Sequence, residues 1–385
     1  MKVKELKARK IKDTRNENAI EIYLKTNFGE FKASAPNGKS KGKFEVNSWK
    51  KDLKGDINAV NNFFIKDINI KKFSDLKLLE NSFKNAVGGN TMIALEYAFL
   101  KALAFQKNKQ VWEIINPKAN KLPIPIGNVI GGGAHSKGKS PDFQEFHVIP
   151  MRELFSKNVE IMKRAHENCG KILKNAQKDF KNELNDENAW QTDLDNDKAI
   201  EVIKQACDNT KDEFKTTVHL GIDVAASSFY NNGNYSYKNP KSIKIKKEQI
   251  KYMNELAKDI FYLEDPLEET DFIGFSKLQS RGLIVGDDLT ATSLERVRIA
   301  CLKKSVNAII VKPNQIGSLI EVKKVVDYCK ENKIKTIFAH RSGETGEDIL
   351  ADLAFGFQAD FIKTGIIGKG RDEKLNRMID IERSL

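Results

Sequence analysis

Cysteine is scarce in this sequence. Cys169, Cys207, Cys301 and Cys329 are the only four in 385 residues, and none forms a Cys-x-x-Cys pair. Their spacing matches no zinc template. Cys301 and Cys329 fall on the apolar faces of helical patterns, where a reduced thiol serves as a small hydrophobe. A reducing, cytoplasmic setting is therefore expected. Long apolar runs are also missing, so no membrane span is expected. The opening segment MKVKELKARK lacks the apolar stretch of a secretory signal, and a soluble protein is expected. The formal charge is +12, yet no Lys/Arg block carries interleaved aromatics. The excess reads as a lysine-rich solvated surface that attracts anions, and nucleic-acid binding is unsupported.

What is present divides the chain in two. Residues 1 to about 66 read as strands and turns, with AIEIYLKT alternating and NFGEFKASAPNGKSKG forming a hairpin that leads into a Gly-rich loop. From about Asp75 to Gln106 the period becomes helical, and TMIALEYAFLKALAF sets Ile93, Tyr97, Leu100 and Ala104 on one face. The proline-rich NPKANKLPIPIGN then reads as a boundary. This predicts a small N-terminal α+β domain over 1–117 and a second domain over 118–385.

In the second part apolar runs recur, each closed by an ionisable residue and followed by a helical pattern. The runs are VHLGID, IFYLED, LIVGDD, NAIIVK, TIFAH and DFIK, closed by Asp223, Glu264, Asp287, Lys312, His340 and Lys363. Their spacing suits a strand, a helix and two loops. The helix TSLERVRIACLKK is expected to bury Leu294, Val297 and Cys301, and SLIEVKKVVDYCKEN to bury Leu319, Val322, Val326 and Cys329. Near-continuous apolar strands in repeated βα units predict a parallel sheet covered by helices. Six or more units suggest a closed (β/α) barrel, with an open doubly wound sheet as the alternative.

A parallel barrel gathers its chemistry at the C-terminal ends of its strands. Any one polar strand end is ordinary, since loops are polar. Six ionisable closures in six consecutive units converge on one space, where three carboxylates repel and raise one another's pKa. A divalent cation removes that conflict, and all-oxygen ligands suit Mg²⁺. Lys312 and Lys363 would stand beside it. A partly desolvated lysine near a cation is expected to have a lowered pKa and to act as a base; the alternative role is an ion pair with the same carboxylates. His340, Arg341 and Ser342 in HRSG suit a phosphate or carboxylate. Together these groups suggest proton abstraction next to a carboxylate.

The segments IGGGAHSKGKSPDFQEFHVIP, GIDVAASSFY, YLEDPL, VGDDLTATS, VKPNQIG, AHRSGETGEDILADLAFG and FIKTG resemble those of the enolase family. The resemblance covers most of the chain. It implies an N-terminal α+β domain on an enolase-type (β/α)8 barrel whose first units are irregular. It also implies reversible dehydration of 2-phosphoglycerate to phosphoenolpyruvate, with two Mg²⁺ per site and a homodimer or larger homo-oligomer. By motif, Asp223, Glu264 and Asp287 match the ligands of the first Mg²⁺, and Ser40, in a mobile loop near 36–42, matches the serine that meets the second. Lys312 matches the base at C2, and Lys363 a contact to the substrate carboxylate. His340, Arg341 and Ser342 match substrate and phosphate contacts, and His135 and Glu145 match loop-side members of the site. Glu187, in NELNDENAWQT, aligns with the acid that assists loss of the hydroxyl.

Three loops depart from the family pattern. Asn185, Asn188 and Ala189 stand where that acid's loop has glycines, Lys39 and Lys41 enter the mobile loop, and 13–18 reads DTRNEN. The two lysines would weaken the second metal or draw in phosphate. Two other functions are compatible with the sequence: a superfamily lyase acting on a different carboxylate, and a catalytically idle binding protein for RNA or a partner.

Overall fold

The computed structural model describes residues 1–39, 41–64 and 68–385. The chain begins with a three-stranded antiparallel sheet, Val3–Lys12, Asn18–Thr26 and Glu30–Ala35. The hairpin expected at NFGEF joins the second and third of these strands. The stretch read as strands and turns also contains a helix, Leu53–Asn61, capped by Asp52, whose side chain accepts from the Gly55 amide. Leu53, Ile57 and Val60 carry its helical spacing.

The helix Gly89–Gln106 was expected to bury one face. Instead every residue from Gly89 to Leu100 is buried. The helix packs against the antiparallel sheet on one side and against the barrel-side helices Val111–Ile115 and Pro313–Ile316 on the other. An apolar stripe is sufficient for a surface helix; one clamped between two layers needs apolar residues all round.

From Ile124 onward eight strands close into a barrel. In barrel order they are Ile124–Gly131, Glu145–Pro150, Val218–Asp223, Tyr262–Glu264, Leu283–Gly286, Ala308–Val311, Lys335–Ala339 and Phe361–Lys363, and the last pairs with the first. Seven run parallel. Glu145–Pro150 is antiparallel to both of its neighbours, so its first residue, not its last, lies at the mouth. Two long helices, Phe155–Ala176 and Asn196–Phe214, then pack together before the regular βα rhythm begins. These are the irregular first units expected above.

Apolar side chains form two cores. One fills the barrel, built from Ile126, Ile149, Tyr262, Val285, Ile310, Ile337 and neighbours. The other lies between barrel, helices and N-terminal sheet. The helix Leu319–Glu331 buries Leu319, Val322, Val326 and Cys329 as expected, and its N-terminus is capped by Ser318, which accepts from the Glu321 amide. In Leu294–Leu302, Val297 and Ala300 are buried, while Leu294 and Cys301 are half-buried. All four cysteines are free thiols. Among the described residues no helix is long and apolar enough to cross a membrane.

Candidate active site

The strand ends put their closing residues at one mouth. Asp223 and Glu264 are register partners on adjacent strands, and the reversed strand sets Glu145 opposite Asp223. From the other side of the barrel Lys363 reaches all three, with Nζ 2.7 Å from Glu145, 2.8 Å from Glu264 and 3.4 Å from Asp223. Lys312 forms an ion pair with Asp287, whose second oxygen accepts from Gln315 at 3.0 Å. His135, Glu145, Glu187, Asp223, Asp287, Lys312, His340, Arg341, Ser342 and Lys363 line one cavity of about 270 Å³. Glu264 is fully buried and accepts from the Tyr262 hydroxyl. Ser40 lies outside the described residues.

The electrostatics follow from burial. Burial raises Glu264 to about 8, helped by repulsion from Asp223 and offset in part by Lys363. Burial likewise raises Asp223 to about 6. Burial opposes the charge of Lys312, but Asp287 more than offsets it and the ammonium ends above its ordinary pKa. The depression expected of Lys312 belongs to a lysine beside a bound cation. The ion-pair role, the alternative given by the sequence, is the one observed, because a carboxylate in contact outweighs desolvation.

The residues suit a divalent cation. The donors are all oxygen, and Glu264 Oε1 is buried without a hydrogen-bond partner. Burial first, and repulsion from neighbouring carboxylates second, raise the pKa of Glu264 and Asp223, and a cation would relieve that repulsion. The tightest convergences of possible ligand atoms are Asp265–Asp287–Asp288 and His135–Glu145–Glu187, and not the expected trio Asp223–Glu264–Asp287. Asp265 is taken up structurally, since it accepts from the amides of Asp287 at 3.0 Å and Asp288 at 2.7 Å.

On the opposite wall, His135 Nδ1 lies 3.4 Å from Glu145 and 3.7 Å from Glu187, and His340 Nε2 lies 4.0 Å from Glu187. Burial and the nearby Glu145 raise the Glu187 carboxyl, which favours its protonated form. Burial, then Arg371, holds His340 well below the usual imidazole range, so it is neutral. His147, deeper on the same strand as Glu145, is pushed down to about 3 by burial and then Lys363, and packs edge-on against Tyr262.

The loop around Glu187 keeps a tight turn without glycine. Asn188 adopts the left-handed region at φ 61°. Asn188 O is 2.9 Å from His166 Nε2. Trp190 stacks on the His166 ring at 4.9 Å and donates its indole N–H to the His166 carbonyl at 2.9 Å. It sits against Gly170, where a Cβ would come within 2.6 Å of the indole. Asn128 Nδ2 donates to Glu187 Oε2 at 3.2 Å.

The N-terminal part closes over the mouth. Asn37 and Gly343 exchange backbone hydrogen bonds at 2.8 and 3.0 Å, and the Lys39 amide donates to Ser342 Oγ at 2.8 Å. Arg341 pairs with Glu45 through both Nη atoms, at 2.9 and 3.1 Å. Glu45, Gln315, Tyr262 and Asp265 were not found from sequence. Each lies away from a strand-end closure or beside one already counted, and tertiary contact alone brings it to the site.

A barrel whose mouth combines two lysines, a carboxyl raised by burial and the neutral imidazole of His340 under an N-terminal cover defines an enzyme of acid–base chemistry. Residues 119–385 match the family model described as enolase, C-terminal TIM barrel domain. The chain is 35% identical to the enolase of Thermoplasma acidophilum, covering 100% of this chain and 98% of the relative. Identity to the enolase of Picrophilus torridus is 36%, over 100% and 99% of the two chains, and to that of Sulfolobus acidocaldarius 33%, over 99% and 95%. The chain belongs to the enolase family of lyases, as a divergent member of the archaeal type.

Proposed function

We propose that this enzyme catalyses the reversible, Mg²⁺-dependent dehydration of 2-phosphoglycerate to phosphoenolpyruvate in the cytoplasm, as a homodimer or larger homo-oligomer. The observation that carries the reading is the pairing of functions in one cavity: a half-buried lysine, Lys312, and a carboxyl raised by burial, Glu187, both line it. Dehydration needs a base at C2 and an acid at the C3 hydroxyl, and an anti-type elimination sets them on opposite sides of the substrate.

Asp223, Glu264 and Asp287 would hold the first Mg²⁺, and Ser40 would meet a second. A divalent cation held there supplies positive charge at the substrate carboxylate and beside Asp287, which lowers the proton affinity of the neighbouring lysines. Lys312 accepts the C2 proton. Lys363 stabilises the negative charge that develops on the carboxylate. Glu187 gives its proton to the C3 oxygen, so that the C–O bond breaks with water as the leaving group. His135 and Glu145 keep that proton placed, neutral His340 lines the same wall, and Arg341 and Ser342 receive the phosphate. Residues 1–117 act as the cover and 118–385 as the catalytic barrel.

The test is turnover of 2-phosphoglycerate by the purified chain, followed by the ultraviolet absorbance of phosphoenolpyruvate with Mg²⁺ and with chelator. Mg²⁺-dependent product formation is expected. No product from folded protein in Mg²⁺ would refute the reading.

A further inference from the structure

One cation on the cavity rim has no part in the chemistry above. Lys41 lines the same cavity as Arg341 and Ser342. Among the described residues its ammonium has a single hydrogen-bond partner, the Ser48 hydroxyl at 2.6 Å. It lies close enough to Arg341 for the two like charges to repel, and Glu45 is the carboxylate that attracts it. Glu45 is already engaged by both Nη atoms of Arg341, and by the Gly42 amide at 3.2 Å. A buried guanidinium thus holds the one carboxylate that also attracts the exposed Lys41 ammonium at the rim.

The backbone on either side fixes this placement. Gly38 lies so near Arg341 that a Cβ there would come within 2.0 Å of Nη2, and a Cβ on Gly42 would come within 2.7 Å of Asp288 Oδ1. The Lys43 amide donates to Glu269 at 3.2 Å and the Val46 amide to the Gln315 carbonyl at 2.9 Å. Lys41 thus stands on the rim in a segment held to the barrel at both ends. A hydroxyl does not neutralise an ammonium, and a guanidinium beside it adds repulsion. An anion carrying more than one charge resolves both, with the guanidinium offering a fork and the ammonium a point charge.

We propose that Lys41 is a second phosphate anchor, acting with Arg341 and Ser342 on the phosphate of the substrate. The inference rests on the proposed function for the identity of that substrate. It concerns the phosphate end alone and not the reacting carbons.

The experiment uses the full chain and its K41M, K41Q and K41R variants, each checked for unchanged Tm. Inorganic phosphate is titrated calorimetrically, and steady-state kinetics with 2-phosphoglycerate are measured in Mg²⁺. K41M and K41Q should raise KM about 10–100-fold, the size of one lost charge-assisted hydrogen bond, with a smaller fall in kcat. Phosphate affinity should drop in parallel, and K41R should recover most of both. The salt dependence of phosphate binding should flatten in K41M. Equal KM and equal phosphate affinity in wild type and K41M overturn the proposal even when wild-type turnover is normal. Absence of wild-type turnover overturns the proposed function instead, and the phosphate titration still decides the role of Lys41.

Discussion

Asn185 builds the turn that carries Glu187: its Oδ1 accepts from the Glu187 amide at 2.9 Å and from the Ala189 amide at 3.0 Å. Its own amide donates to the Ala189 carbonyl at 2.9 Å. An asparagine side chain thus supplies the hydrogen bonds that shape a tight loop. N185A should reduce kcat about 10–100-fold through misplacement of the acid. E187Q should cost more, about 10²–10⁴-fold. Wild-type kcat in N185A would show that the loop holds its shape without this side chain.

Lys312 and Glu187 should separate when the two bond-breaking events are read individually. Loss of the C2 proton is followed by its exchange with deuterium from solvent, measured by NMR on 2-phosphoglycerate. E187Q should retain exchange while losing dehydration. K312A should lose both, by about 10²–10⁴-fold. Exchange at the wild-type rate in K312A would remove Lys312 from the base position.

Metal should stabilise as well as activate. Burial and repulsion from neighbouring carboxylates hold Glu264 near 8 and Asp223 near 6, and a bound cation relieves the repulsion. Mg²⁺ that binds only the folded chain raises Tm with concentration. In D223N the rise should shrink strongly, and chelator should reverse it in the wild type. An unchanged wild-type Tm across a wide Mg²⁺ titration would count against the assigned ligands.

Stability should fall as pH rises through the neutral range because of Glu96. This carboxyl is fully buried, and burial, then the charge of Glu80, raises it well above the ordinary range. Its Oε2 accepts from the Leu319 amide at 2.8 Å, joining the long N-terminal helix to a barrel helix. The folded state keeps the proton above the pH at which the unfolded chain releases it. The contribution of Glu96 is therefore full below about pH 4, the unfolded value, and declines as pH rises toward the folded one. E96Q keeps the shape without the charge. Its Tm should vary less between pH 5 and 8 and should exceed wild type at the upper end. Parallel Tm–pH curves for the two proteins would contradict this.

The strand-end residues were legible in the sequence because parallel strands all deliver their last residues to one rim. Asp223, Glu264, Asp287, Lys312, His340 and Lys363 needed only the repeat of apolar runs and the direction of the strands. Glu145 escapes that logic, since its strand runs the opposite way and presents its first residue; only the family resemblance pointed to it. Leu53–Asn61 was missed because three apolar residues at helical spacing are easily absorbed into a strand-rich region. The ion pair of Lys312 with Asp287 was open in the sequence as one of two roles, because it depends on side-chain packing across neighbouring strands. Glu45 was invisible for a related reason: its partner Arg341 is nearly 300 residues away.

The seat of Trp190 ties two distant stretches of sequence into one heritable unit. The indole lies on His166 and over Gly170, both on the helix Phe155–Ala176, while Asn188 two residues earlier meets the same imidazole. A change at position 170 that adds a Cβ would dislodge the indole and, through it, the loop that bears Glu187. Grafting NDENAW into a relative would carry the letters but not the seat. The loop and its helix can be exchanged only as a pair, and drift in one constrains what the other accepts.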